Sequence, residues 1–128
     1  MAMPDQSFDL VLANSVFTHL KLDTAKAWIK EIRRLLRPGG IALLSFHGLF
    51  SLATFCGRTP TFIDKVLQSG FNADLKAPEL DGLVGDDTYY RQTYMTDDFA
   101  RALFSEQFDL AAVHVGVVSR YQNIAVCR

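Results

Sequence analysis

The sequence predicts an α/β fold. Two short apolar runs bracket one strongly amphipathic helix, a second helix follows Thr96, and two further apolar runs close the chain around Ser119-Arg120. The 128 residues fit a single domain spanning 1–128. A chain of this size buries roughly two-thirds of the surface its unfolded form exposes, so it can hold a real core.

The first run, Phe8-Asp-Leu-Val-Leu-Ala13, is β-prone and stops at Asn14-Ser15, which reads as a buried strand. After a polar and aromatic loop, Asp23 is placed to cap a helix. Its apolar positions are Ala25, Trp28, Ile29, Ile32, Leu35 and Leu36, spaced by three and four along one stripe. Arg33, Arg34 and Arg37 suit the negative end of that helix dipole. Pro38 cannot continue the helix, and Gly39-Gly40 permits a tight reversal into the second run, Ile41-Ala-Leu-Leu-Ser-Phe46. Strand, helix and strand in this order make a right-handed βαβ unit with parallel strands.

In the middle segment, Phe62, Ile63, Val66 and Leu67 predict a short helix after Pro60, closed by Gly70 in the left-handed position. Asn72 to Asp87, with Pro78, Gly82 and Gly85, reads as loop. From Asp74 to Asp98 seven acids face only Lys76 and Arg91, which favours a solvated acidic loop over a cation site. Thr96 then opens a helix with Asp97 and Asp98 in its positive first turn and Phe99, Ala100, Leu103 and Phe104 on its buried stripe. Phe108 to Val118 and Tyr121 to Cys127 read as two strands, close enough to pair antiparallel as a hairpin. The expected sheet is mixed, with about four strands.

Composition narrows the function classes. Thirteen Lys and Arg balance fourteen Asp and Glu for a net charge of -1, so no global field would recruit nucleic acid or an anionic membrane. Cys56 and Cys127 lie far apart with no Cys-x-x-Cys, which argues against a disulfide scaffold or a zinc module. No histidine pair has metal-ligand spacing, and no metal is expected. The N-terminal residues carry neither a basic nor an apolar signal region, and the run from Ile41 to Phe55 is too polar to span a bilayer. A cytoplasmic location is the expectation. Ser15 lacks the Gly-x-Ser-x-Gly setting of a hydrolase nucleophile. Cys56 has Arg58 nearby but no recognisable histidine partner, and His114 within an apolar run reads as structural. The basic stripe of Lys21, Lys26, Lys30, Arg33, Arg34 and Arg37 reads as a solvated helix face.

Three stretches together are distinctive: Phe8-Asp-Leu-Val-Leu-Ala-Asn-Ser-Val-Phe-Thr-His19, then Trp28-x-x-Glu31-x-x-Arg34-Leu-Leu-Arg-Pro-Gly-Gly40, then Ile41-Ala-Leu-Leu-Ser-Phe46. They resemble the class I S-adenosylmethionine-dependent methyltransferases, most closely the small-molecule type often called type 11 or type 12. Tyr89-Tyr-Arg-x-Thr93-Tyr, the Thr96 helix and the closing hairpin also look like the end of that fold. The resemblance implies a partial Rossmann-like methyltransferase sheet, with strands in the family's order 4-5-7-6, an antiparallel C-terminal hairpin and flanking helices. It covers the second half of the family's fold, with 48–88 as a variable substrate lid. The Gly-x-Gly-x-x-Gly turn that cradles the cofactor is absent from this sequence, as is the acidic strand end that holds its ribose.

Ligands of open α/β sheets sit beyond the carboxyl ends of the parallel strands, here Ala13-Asn14-Ser15 and Phe46-His47-Gly48. By resemblance, Asn14, Ser15 and Val16 would contact the methionine part of S-adenosylmethionine, and Phe17 would shield its sulfonium. Read without the resemblance, Asn14 and Ser15 are a strand-ending turn and Phe17 is core. His19 and His47 are candidate bases for an acceptor O–H or N–H, or equally loop and core hydrogen-bonding histidines. Phe50, Tyr89 and Tyr90, with Phe55, Phe62 and Phe71, would wall an acceptor pocket. Arg91 would pair with an acidic acceptor group or brace neighbouring loops. The expected activity is methyl transfer to a small-molecule acceptor, without nucleic acid or membrane. The alternative is a non-catalytic fragment or interaction module that cannot bind the cofactor alone. Lacking a neighbour, Phe8 to Ala13 would be an apolar edge inviting a second copy, so a homodimer through that strand or an aggregation-prone monomer is expected.

Overall fold

The computed structural model describes residues 3–54, 59–86 and 88–128. Strand β1 (Phe8–Ala13) leads through a loop to helix α1 (Leu22–Leu35) and strand β2 (Leu36–Phe46). Helices α2 (Leu49–Thr54) and α3 (Pro60–Ser69), strand β3 (Phe71–Lys76), helix α4 (Pro78–Val84) and strand β4 (Arg91–Met95) follow. Helix α5 (Asp97–Ser105) and strands β5 (Leu110–Val118) and β6 (Gln122–Cys127) complete the chain. The main sheet has the order β1-β2-β6-β5, with β1 and β2 parallel and the other two pairings antiparallel. That is the order 4-5-7-6 expected from the resemblance.

One face of this sheet carries the core. Ala13, Ala42, Leu44, Phe46, Ala125 and Cys127 meet Ala25, Ile29 and Ile32 of α1 and Ala100, Leu103 and Phe104 of α5. Phe104 joins the two sides, its ring edge-on to Phe17 at 5.5 Å and near Phe46 at 5.8 Å. Edge contacts of this kind add to the area the rings bury. Helix α5 begins as the sequence predicts: Thr96 accepts from the Phe99 amide at 3.2 Å, with Asp97 and Asp98 in the first turn. Helix α3 also follows its prediction, capped by Thr59 and ended by Gly70 at φ 76°.

Five expectations are corrected. Strand β1 is not buried: it lies at the sheet edge, with Phe8, Leu10 and Leu12 exposed and only Ala13 buried. Asp23 does not cap α1; Lys21 holds the cap position with no side-chain bond, and Asp23 lies in the first turn. Trp28 leaves the buried stripe and is 43% exposed, and Leu36 belongs to β2. The Pro38-Gly-Gly segment is drawn into β2, because Phe8 pairs with Leu36 before a register shift brings Leu10 opposite Ile41. Asn72 to Asp87 is not loop throughout. Antiparallel pairing with β4 converts its start into β3, and Pro78 and Gly85 prove to be the first residue and the left-handed end of α4. Turn-type residues at helix ends mimic a loop in the sequence. Phe55, Cys56, Arg58 and Asp87 lie outside the described residues.

Two close approaches fix the region after β2. A Cβ at Gly48 would collide with the side chains of Asn123 and Asp97. Asn123 in turn donates to Asp97 at 3.1 Å and accepts from the Gly116 amide at 3.1 Å. Among the described residues no helix is long and apolar enough to cross a membrane.

Burial pushes the Cys127 thiol up from 9.0 to about 12. Between those values the unfolded chain releases a proton that the folded chain keeps, so stability falls as pH rises through that window. The urea midpoint of the native chain should therefore drop more steeply than that of Cys127→Ala when pH is raised from about 8 to about 10.5. Parallel slopes in the two proteins would contradict it.

Candidate functional site

The carboxyl ends of β1 and β2 open onto two adjoining cavities. The smaller, about 270 Å³, is lined by Ser15, His19, His47, Tyr94, Tyr121 and Gln122, with Glu79 and Gln92 at its rim. The larger, about 390 Å³, shares Ser15 and His19 and is walled by Val16, Trp28, Leu80, Leu83, Tyr89 and Tyr90. The first is the more polar of the two, and the second offers an apolar lining.

Strand β4 positions both histidines. The amides of Arg91 and Thr93 donate to the carbonyls of His19 and Thr18, at 2.9 and 2.8 Å, and the Met95 amide donates to His47 at 3.0 Å. In return, the carbonyls of Arg91 and Thr93 accept from His19 Nδ1 at 2.8 Å and His47 Nδ1 at 3.1 Å. A carbonyl can only accept, so each ring carries its proton on Nδ1 when neutral, and Nε2 holds the lone pair. The two rings stand 6.4 Å apart. His47 also stacks on Tyr94 at 4.8 Å and lies 5.6 Å from Tyr121.

Beneath the histidines lies a buried hydroxyl and amide network. The Ser15 amide donates to Ser45 Oγ at 2.7 Å, and Ser45 Oγ donates to Gln122 Oε1 at 2.9 Å. Gln122 Nε2 donates to Ser15 Oγ at 2.9 Å. Ser15 itself sits at φ 55°, a left-handed conformation that a serine adopts only when held there. The network thus fixes the turn that ends β1.

Several expected site residues meet here. Ser15, Val16, His19, His47, Tyr89 and Tyr90 line one cavity or both. Asn14 is exposed beside them and lines neither. Phe17 is fully buried against Phe104, so its ring belongs to the core and cannot face a sulfonium. Phe50 stands apart on α2, lying over Gly116. The Arg91 side chain lines a separate groove, while its backbone holds His19. Phe62 packs with Leu52, Val66 and Tyr94 in a small second core. Sequence reasoning missed Gln122, Tyr121, Tyr94 and Glu79. Gln122 had one legible signal, a polar residue at the start of an apolar strand, here buried to 2% exposure.

Among the described residues no group of three His, Cys, Asp or Glu side chains could hold a metal ion. The fit to a nucleoside-bearing cofactor is one-sided. Asn14, the Ser15 turn and Val16 can meet an amino-acid moiety. The sequence has no glycine turn for a nucleoside, and β1 has no strand on its outer side among the described residues.

Residues 1–44 match the family model described as methyltransferase domain. The tRNA N(3)-cytidine methyltransferase METTL2 of Gallus gallus is 37% identical over 51 residues, which is 40% of this chain and 14% of that protein. Among solved structures, a SAM-dependent methyltransferase from Methanosarcina mazei aligns over 99% of this chain and 61% of its own, with TM-score 0.64 and 16% identity. An S-adenosylmethionine-dependent methyltransferase from Mesorhizobium loti aligns over 100% of this chain and 64% of its own, with TM-score 0.62 and 13% identity. The chain therefore spans less than two-thirds of the length of each of these proteins. The resemblance seen in the sequence holds, and the fold is shared along the whole chain.

Removing the Ser45 hydroxyl would leave the Ser15 amide without its partner and Gln122 Oε1 with only the longer bond from Ser15 Oγ, at 3.2 Å. Ser45→Ala should cost about 1–3 kcal/mol of unfolding free energy by urea denaturation, against a few tenths for a surface Ser→Ala such as Ser105→Ala. Equal effects of the two substitutions would show that the network does not hold the turn.

Proposed function

With the class I S-adenosylmethionine-dependent methyltransferase fold as the premise, we propose that this chain forms the acceptor side of a methyl-transfer site for a small molecule. The observation that carries the reading is the pair of histidines held by β4 at the carboxyl ends of β1 and β2, the place where such sheets bind ligands. Cavities of about 270 and 390 Å³ suit a small acceptor better than a macromolecule.

Bound S-adenosylmethionine would supply an electrophilic methyl group on a sulfonium. Asn14, Ser15 and Val16 would hold its methionine end, and among the described residues none takes over the nucleoside end. The chain's other residues do the remaining work. Tyr89, Tyr90, Trp28 and Leu80 exclude water from the larger cavity and hold the apolar part of the acceptor. His19, tethered through Nδ1, presents Nε2 as proton acceptor for an O–H or N–H nucleophile. His47 is nearly buried and braced by Tyr94, and it lines the smaller cavity beside His19.

Calorimetric titration of S-adenosylhomocysteine into the 128-residue chain tests this reading. Saturable binding is expected, weakened about five- to tenfold by Asn14→Ala, a loss of about 1.0–1.4 kcal/mol. No binding by a folded chain would leave the alternative, a half-sheet acting as an interaction module.

One observation favours that alternative. The outer edge of β1 has no partner among the described residues, with Leu10 54% and Leu12 60% exposed. An apolar edge of this length pairs readily with another strand, and a second copy supplies one of identical register. Leu12→Lys should then raise the monomer fraction in sedimentation velocity. Assembly unchanged by the lysine would argue against edge pairing.

A further inference from the structure

We infer that the groove between the start of α1, the last turns of α3 and the β3–β4 hairpin is a binding site for a small oxyanion, a ligand presenting a phosphate or carboxylate group. The groove encloses about 650 Å³ and is lined by Lys21, Lys65 and Arg91, with Gln68, Ser69 and Asn72 between them. It shares no lining residue with the two cavities of the methyl-transfer site, so the inference does not rest on that reading.

Three basic side chains without an ion pair among the described residues line this one groove. Lys26, Arg34 and Arg37 each pair with an acid, to Glu106, to Asp5 and Glu31, and to Asp9. Lys21, Lys65 and Arg91 form no ion pair among the described residues. Arg91 Nε is shielded from solvent and has no hydrogen-bond partner there. A shielded N–H without a partner costs free energy, which a bound oxygen recovers once the side chain turns toward the groove. Two acids lie close and offset part of the cluster's charge, Asp86 through its attraction to Lys21 and Arg91, and neither forms an ion pair with it. Asp74 lines the groove, and its carboxylate accepts from Asn72 Nδ2 at 3.0 Å. Asp86 is turned to the Thr88 amide and hydroxyl, at 2.8 and 2.7 Å.

Three like charges around one concavity repel one another, and a dianion relieves that repulsion. The Arg91 guanidinium gives the fork geometry that matches two oxygens of one phosphate or carboxylate, and the lysines supply point charges on either side. Amide and hydroxyl donors of Gln68, Ser69 and Asn72 complete a polar lining.

The test is calorimetric titration with inorganic phosphate and, separately, with succinate, at an ionic strength held constant with chloride. Saturable binding of at least one oxyanion is expected, weakened about tenfold in Lys21→Gln and in Lys65→Gln. Both lysines are exposed, so these variants keep the fold; circular dichroism checks it. Phosphate binding without succinate binding assigns a tetrahedral ligand, the reverse assigns a carboxylate, and both support the site. Heats no larger than those of added chloride, or affinities unchanged in both lysine variants, would overturn the inference.

Discussion

Strand β4 is five residues long, yet it holds together the parts of the molecule where chemistry could occur. One edge pairs with β3, and the other turns its peptide groups toward the loop after β1 and the end of β2. Because alternate residues of a strand point their N–H and C=O groups to the same side, Arg91 and Thr93 each offer a donor and an acceptor at a fixed interval. The donors take the carbonyls of His19 and Thr18, and the acceptors take the Nδ1 protons of His19 and His47. A backbone ladder cannot be altered by side-chain substitution. The tautomer and spacing of both rings therefore follow from strand geometry rather than from any particular neighbour.

The same economy appears beneath the site. Ser15 adopts a left-handed conformation at the end of β1, and its amide is held by Ser45 from β2 and, through it, by Gln122 from β6. Three strands thus meet in one buried polar network. Such a network stabilises only if every member finds a partner, and it then fixes one arrangement of the strand ends. The parallel β1–β2 pair delivers Ser15 and His47 to one end of the sheet. The antiparallel insertion of β6 beside β2 brings Gln122 to the same end from the far end of the sequence.

Much of this fold was legible in the sequence because its signals are local. The 3.6-residue stripe of α1, the Thr96 cap of α5, Gly70 behind α3 and the close spacing of β5 and β6 each depend on a few neighbouring residues. What stayed hidden depends on partners distant in sequence. Strand β3 has a polar and interrupted pattern and becomes a strand only by pairing with β4. Phe17 stands two residues from His19, but the helix α5 packed behind it decides that its ring is core. Arg91 has a backbone in one site and a side chain in another, a separation that no one-dimensional pattern carries. His19 and His47 could be named from their strand-end positions, whereas their common attachment to β4 could not.

Topology also explains why the candidate cofactor site is half built. In a doubly wound sheet the ligand crevice forms between the loops of adjacent strands at the switch in strand order, so each side needs a strand. Here β1 is the edge, and the loop after it faces β2 on one side and no described strand on the other. The side chains proposed to meet the acceptor include residues at the ends of β2 and β6 and on β4 of the second sheet. Among the described residues no strand stands on the outer side of β1. A partner strand on that border would bring its own terminal loop against Asn14 and Ser15, which ties the edge-pairing proposal to the cofactor proposal through the same six-residue strand.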